Sequence, residues 1–209
     1  TYRVRATVSD GQFSVSDQIT LNVGGTNALP LSDWISADIG PVTLPGYSGT
    51  SGSNWILFAA GVGYATSSDR AHAVSRAVTG DGSIVARLVA VSGTNTAEAG
   101  LSVRDSLHRY ARRGALLYHP ATRTLRFRPR LVSNTTDFTL SAINLNLPLW
   151  LRLDRNAAAG TVTARYASDV AGAPGAWTQL GTNMNIAMDA IADYSLTADS
   201  GSDTVGALA

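Results

Sequence analysis

Apolar and polar residues alternate along most of this chain with a period of two, in short runs cut by Gly, Asn, Asp and Pro. The clearest run starts at Ala97, where Ala99, Leu101 and Val103 fall on one face and Gly100, Ser102 and Arg104 on the other. Just upstream, an Asp81-Gly82 turn signal introduces Ile84 to Val91, a nearly continuous β-branched and apolar stretch, and Ser92 to Thr96 is a polar turn cluster. An apolar strand beside an alternating one predicts a central pair in a sandwich, with one face in the core and one toward a groove.

The same pattern predicts strands near 34–39, 54–60, 70–79, 83–91, 97–106, 113–119, 124–131, 137–141, 149–155, 161–168, 176–180 and 192–198. Ala71 to Ala77 could also support a helix, but its length and neighbours favour strand, and Met184 to Ala192 could hold one helical turn. Many short strands without a long helix give an all-β chain and argue for a β-sandwich. The first 25 residues stand apart. Tyr2, Val4, Ala6 and Val8 alternate with Arg3, Arg5 and Thr7, Asp10-Gly11 makes a turn, and Ile19, Leu21 and Val23 alternate again. Two strands cannot bury a core alone, so residues 1–25 are expected to be a terminal hairpin, 26–30 a linker, and 31–209 the main domain.

Composition changes little in this picture. At 209 residues and 44% hydrophobic content the chain can bury a sizeable core, and no run is long enough for a membrane span. Cysteine is absent, which excludes disulfides and thiolate metal sites without excluding secretion. The chain starts inside a strand with neither an initiator Met nor a signal peptide, as expected of a piece of a longer protein with neighbouring domains. Charge is more telling. All 16 basic residues are Arg, and every carboxylate but Glu98 is Asp. Arg104, Arg109, Arg112, Arg113, Arg123, Arg126, Arg128 and Arg130 share their stretch with Asp105 alone, whereas the segment from Asp189 onward holds four Asp and no Arg. That asymmetry fits an anionic partner, or two surfaces that neutralise each other.

The 79–107 stretch, GDGSIVAR followed by AEAGLSVRDSL, resembles the concanavalin A-like jelly-roll domains of the DUF1349 type. WISADIGPVTLPG at 34–46, WLRLDR at 150–155 and the 166–181 segment around Trp177 extend the likeness from Leu31 to the end. The N-terminal hairpin is similar to the last two strands of a cadherin-like or PKD-like immunoglobulin-type domain. The resemblance implies a jelly-roll β-sandwich from a secreted or surface bacterial multidomain protein. It also implies one more strand after the equivalent of Ser200–Ala209, short or missing here. YASDVAGAPGAW at 166–177 resembles a stretched Asp-box turn, which implies that Asp169 satisfies turn amides while Trp177 packs beneath.

Candidate chemistry is sparse. A glycosidase needs two carboxylates across the scissile bond, and Glu98 has no carboxylate companion on its own strand. His72, His108 and His119 lie in no nucleophile-elbow context, their spacing is not that of a zinc site, and each reads as a surface or strand-end residue. Asp-rich turns at 79–82 and 199–203 could give calcium oxygen ligands but lack the EF-hand spacing, so calcium stays open and no other cofactor is expected. A net charge of +1 without an aromatic-basic signature argues against nucleic acid.

The strongest feature is Leu125-Arg126-Phe127-Arg128-Pro129-Arg130-Leu131. On a strand, Leu125, Phe127 and Leu131 face the core and the arginines line the other side, with Pro129 marking an edge or bulge. Trp150 and Arg152, Thr163 and Arg165, and Ser102 and Arg104 take the polar faces of their strands. If those faces belong to one sheet, Arg104, Arg126, Arg128, Arg130, Trp150, Arg152 and Arg165 form a groove of guanidinium forks around an indole, suited to an acidic sugar. The expected function is therefore a non-catalytic, extracellular carbohydrate-binding accessory domain. The competing expectation is a structural or adhesive module that self-assembles by strand addition.

Overall fold

The computed structural model describes residues 33–52, 54–64 and 66–209, together with the backbone of two strands at 2–9 and 14–21. In chain order the strands are β1 (Tyr2–Ser9), β2 (Ser14–Leu21), β3 (Ile35–Ile39), β4 (Tyr47–Ser51), β5 (Asn54–Gly61), β6 (Ala71–Thr79), β7 (Gly82–Leu88), β8 (Glu98–Arg104) and β9 (Arg113–His119). They continue as β10 (Thr124–Arg130), β11 (Ser141–Asn144), β12 (Leu149–Asn156), β13 (Thr161–Val170), β14 (Ala173–Pro174), β15 (Thr178–Gln179), β16 (Met184–Asn185), β17 (Ile191–Asp199) and β18 (Ser202–Leu208).

Seven strands form one antiparallel sheet in the order β11-β10-β9-β8-β17-β6-β3, and a six-stranded sheet runs β14-β13-β12-β7 with β15 and β16 paired to β13. The core lies between them. Leu101, Leu116 and Phe127 from the first sheet meet Leu149, Leu151 and Val162 from the second. A third sheet, β18-β5-β4, packs over a smaller core of Leu57, Ala59, Val74, Ala99 and Ala198. The protein is an all-β sandwich, as the alternating pattern predicts. β1 and β2 pair antiparallel, Tyr2 opposite Leu21 through Ser9 opposite Ser14, as a separate two-stranded sheet. The turn at Asp10-Gly11 and the linker over 26–30 lie outside the described residues.

Several expectations change. The 79–107 stretch is not one hairpin, because β7 is the edge of the six-stranded sheet while β8 is central in the other. Its connecting segment crosses between layers, a path that periodicity cannot encode. Ala71–Ala77 is strand, and Met184–Asn185 is a short strand where a helical turn was conceivable. The strand expected at 137–141 starts only at Ser141, and Asp137 turns its carboxylate inward. β4, reading YSGTS, shows no apolar alternation, and β18 forms the C-terminal strand. Pro129 sits where β10 has run past its last pairing with β11, Phe127 opposite Ser141, so its missing N–H breaks no ladder.

Phe127 is fully buried at the centre of this core. Phe127→Ala should cost about 3–5 kcal/mol, read as a lower urea midpoint at unchanged slope.

Candidate functional site

The outer face of the six-stranded sheet is built by alternation on β12. Leu149, Leu151 and Leu153 point into the core, so Trp150, Arg152 and Asp154 point out. Register places Arg87, Val85 and Ser83 of β7 beside them on one flank and Ala167, Arg165 and Thr163 of β13 on the other. Two carboxylates organise this face. Asp169 accepts from Arg87 Nε at 2.6 Å and Nη2 at 2.9 Å, from the Trp150 indole N–H at 2.9 Å, and from the Gly172 backbone N–H at 3.2 Å. The Arg87 hydrogen bonds, helped by those from Trp150 and Gly172, outweigh partial dehydration and hold its carboxyl down to about 2. Asp154 accepts from Arg152 Nε at 2.7 Å and also from Arg165 and Ser83. The Arg152 guanidinium stands 5.9 Å over the Trp177 ring. Alongside, Asp81, Ser83, Asn156, Thr163 and Arg165 line an open depression of about 420 Å³.

Trp150, Arg152 and Arg165 thus lie together. Arg104, Arg126, Arg128 and Arg130 do not join them: they occupy the outer face of the seven-stranded sheet, across the core. The single groove expected from the sequence is therefore two separate faces, and the second one is covered. The segments carrying Tyr64 and Asp69 and, on another loop, Asp137 fold over it, leaving Arg104, Arg113 and Arg130 with no exposed surface. Asp69 holds the cluster. Arg113 meets it with both arms of its fork, at 2.9 and 3.0 Å, and Arg130 does so at 3.0 and 2.6 Å. Arg104 Nη1 lies 2.9 Å from it as an ion pair without hydrogen-bond alignment. Arg113 Nη2 also donates to the Asp137 carboxylate at 2.9 Å, and other donors go to backbone carbonyls, among them Thr135 and Thr66 from Arg130 and Tyr64 from Arg113. Burial alone would raise the Asp69 carboxyl, but the guanidiniums of Arg113, Arg104 and Arg130 outweigh it and hold it below the usual range. Arg128 and the more exposed Arg126 pair with Glu98 at 3.3 and 2.7 Å.

Glu98 does have a carboxylate neighbour, supplied by another strand. Asp199 of β17 stands directly opposite it in register, and the two are 5% and 1% exposed. Burial first, and the Glu98 charge next, push the Asp199 carboxyl well above its ordinary value. Its Oδ1 accepts the Gly201 N–H, while Oδ2 has no partner among the described residues. The other Asp of that turn, Asp203, pairs with Arg70 through Oδ2, and Asp81 of the first Asp-rich turn accepts the Ala157 N–H. Among the described residues no three His, Asp or Glu side chains gather as metal ligands.

His108 is a surface residue, but His72 is 2% exposed. Its Nδ1 lies 2.8 Å from Asp38 Oδ1 and its Nε2 lies 3.0 Å from Ser36 Oγ. Ser36-x-Asp38 on one strand was the available signal, since two residues apart means one shared face. What the sequence withheld was that β6 brings His72 opposite Asp38.

Compared with known protein-family models and with curated proteins, the chain finds no match.

Asp69→Asn would leave the buried Arg104 and Arg130 without a carboxylate, and Arg113 with Asp137 alone, and should cost about 3–5 kcal/mol in denaturant unfolding at pH 7. Because the folded Asp69 carboxyl is depressed, its contribution is complete above about pH 4 and fades as pH falls further. The Asp69→Asn protein should lose that part of the acid dependence. Asp199 has the opposite sign, since the folded state prefers it protonated. Asp199→Asn should raise the denaturation midpoint at pH 7, with the gain vanishing below about pH 4, where the carboxyl is neutral in both states.

Proposed function

We propose that this chain is a carbohydrate-binding accessory module of the concanavalin A-like jelly-roll kind, and that it belongs to a secreted or surface bacterial multidomain protein. On this reading the glycan lies across the outer face of the six-stranded sheet, where the protein binds without breaking bonds. The observation that carries it is the grouping of Trp150 and Trp177 with Arg87, Arg152 and Arg165, whose side chains are 34%, 36% and 34% exposed. Indole faces stack on sugar rings. Asp154 and Asp169 fix the guanidiniums while using only part of each five-donor fork, so the face is organised before a ligand arrives. The donors left free on these guanidiniums suit the carboxylates or sulfates of an acidic polysaccharide. Arg104 and Arg130 serve the fold in this reading, and Arg126 and Arg128 pair with Glu98 outside the binding face.

A second reading rests on the separate β1–β2 sheet. A two-stranded ribbon is marginal alone, and pairing with a neighbouring module or chain by strand addition would make this an adhesive or structural element.

Binding to a panel of neutral and anionic glycans, followed by calorimetry on the best ligand, tests the first reading. Trp150→Ala with Arg152→Ala should weaken affinity by about tenfold or more, one fully lost contact being worth at least 1.4 kcal/mol. Arg126→Ala, on the opposite sheet, should leave it unchanged. Full affinity in the double variant defeats the assignment of this face.

A further inference from the structure

We propose that Ser36, His72 and Asp38 form a second, chemically active site on the edge of the seven-stranded sheet, a serine nucleophile with its general base, suited to cleaving carboxylic esters. The site is independent of the glycan face, which belongs to the other sheet.

The backbone sets the geometry. β3 is the edge strand, Ser36 and Asp38 sit two apart on it, and Asp38 is the direct register partner of His72 on β6. The proton directions then follow from what each group can do. The Asp38 carboxylate only accepts, so the hydrogen bond at 2.8 Å is donated by His72 Nδ1. In that tautomer Nε2 carries a lone pair and accepts the Ser36 O–H at 3.0 Å. The Ser36 oxygen accepts in turn from the Ser48 hydroxyl at 2.7 Å. Backbone holds the orienting group: the Gly46 N–H donates to both Asp38 oxygens, at 3.1 and 3.2 Å. The whole relay points one way, from serine proton to imidazole, with carboxylate behind it.

Exposure is graded along the same line. The imidazole is buried and rotationally fixed, while Ser36 at the end of the relay is exposed. A histidine that merely joined two strands would need no accessible hydroxyl at its far nitrogen. Trp34, two residues before Ser36, lies 6.0 Å from Trp55, whose strand turns Leu57, the register partner of Ser48, to the same side. Both indoles pack on the small apolar core that also holds Val74, the register partner of Ser36, an apolar neighbourhood that suits an uncharged acyl group.

In the reaction, Ser36 Oγ bonds to the ester carbonyl carbon as its proton passes to His72 Nε2. The carbon–oxygen bond to the alcohol breaks, and the departing alkoxide takes that proton. Water then gives a proton to Nε2, its hydroxide bonds to the acyl carbon, and Ser36 leaves and recovers the proton from His72. The sum is ester plus water to acid plus alcohol. Asp38 orients the imidazole and stabilises its transient positive charge. Ser48, released from Ser36 as attack proceeds, is the hydroxyl at hand for the negative charge on oxygen.

The test uses a fluorophosphonate probe on the full chain, with the adduct mapped by mass spectrometry, alongside p-nitrophenyl acetate hydrolysis. A stoichiometric adduct on Ser36 is expected, lost in Ser36→Ala together with the esterase activity. Asp38→Asn or His72→Gln should slow labelling by about 100-fold or more, and Ser48→Ala by about tenfold, below the usual worth of a fixed oxyanion donor. Ser36 is exposed, so its replacement does not threaten folding, and mapping on the unaltered protein is decisive by itself. No adduct on Ser36, an adduct elsewhere, or a Ser36 adduct formed equally fast in His72→Gln would each overturn the proposal and leave the relay a strand-joining hydrogen-bond network.

Discussion

One carboxylate, that of Asp69, meets three guanidiniums where none of the four side chains is exposed to solvent. Arg104, Arg113 and Arg130 come from three neighbouring strands of one sheet, and no exposed surface remains on any of them. A buried ion pair of this kind adds little net stability over an apolar replacement, because dehydrating the charges costs about what their attraction returns. It does add direction. Guanidinium forks accept only a few arrangements of oxygen, and here those oxygens include backbone carbonyls of Thr66, Arg109, Ala111 and Thr135. The cluster therefore fixes where the loops on that face run, which a greasy patch of equal area could not do.

The same contrast separates the two outer faces. On the seven-stranded sheet, Arg104, Arg113 and Arg130 point into the covering loops and are held there by Asp69 and backbone carbonyls. On the six-stranded sheet, Asp154 and Asp169 hold arginines that still face water. Identical chemistry, Arg against Asp, is thus closed off as scaffold on one side and left partly open to solvent on the other. Burial decides which.

Periodicity made one level of this legible. Leu149, Leu151 and Leu153 inward with Trp150 and Arg152 outward follows from the order of residues alone, as does the splitting of Leu125 and Phe127 from Arg126 and Arg128. The next level did not follow. Nothing in the spacing says that β7 and β8 part into different sheets, so the polar faces of Arg104 and Arg152 could be laid side by side on paper. The covering loops were also invisible, since Tyr64 and Asp69 belong to no periodic run and sit far along the chain from the arginines they enclose. The partnership of Asp38 with His72 depends on cross-strand register, and β4, which supplies Ser48, has too little apolar content to register as a strand. Periodicity separates each strand's two sides, whereas strand neighbours are set by long-range pairing that it does not encode.

The strict division of β12 into inward leucines and outward polar residues has an evolutionary implication. If this face binds glycan as proposed, substitutions at 150, 152 and 154 can change its ligand preference while every packed leucine keeps its seat, so diversification and foldability fall on separate positions. A lineage could retune what the surface prefers many times over without renegotiating the architecture underneath.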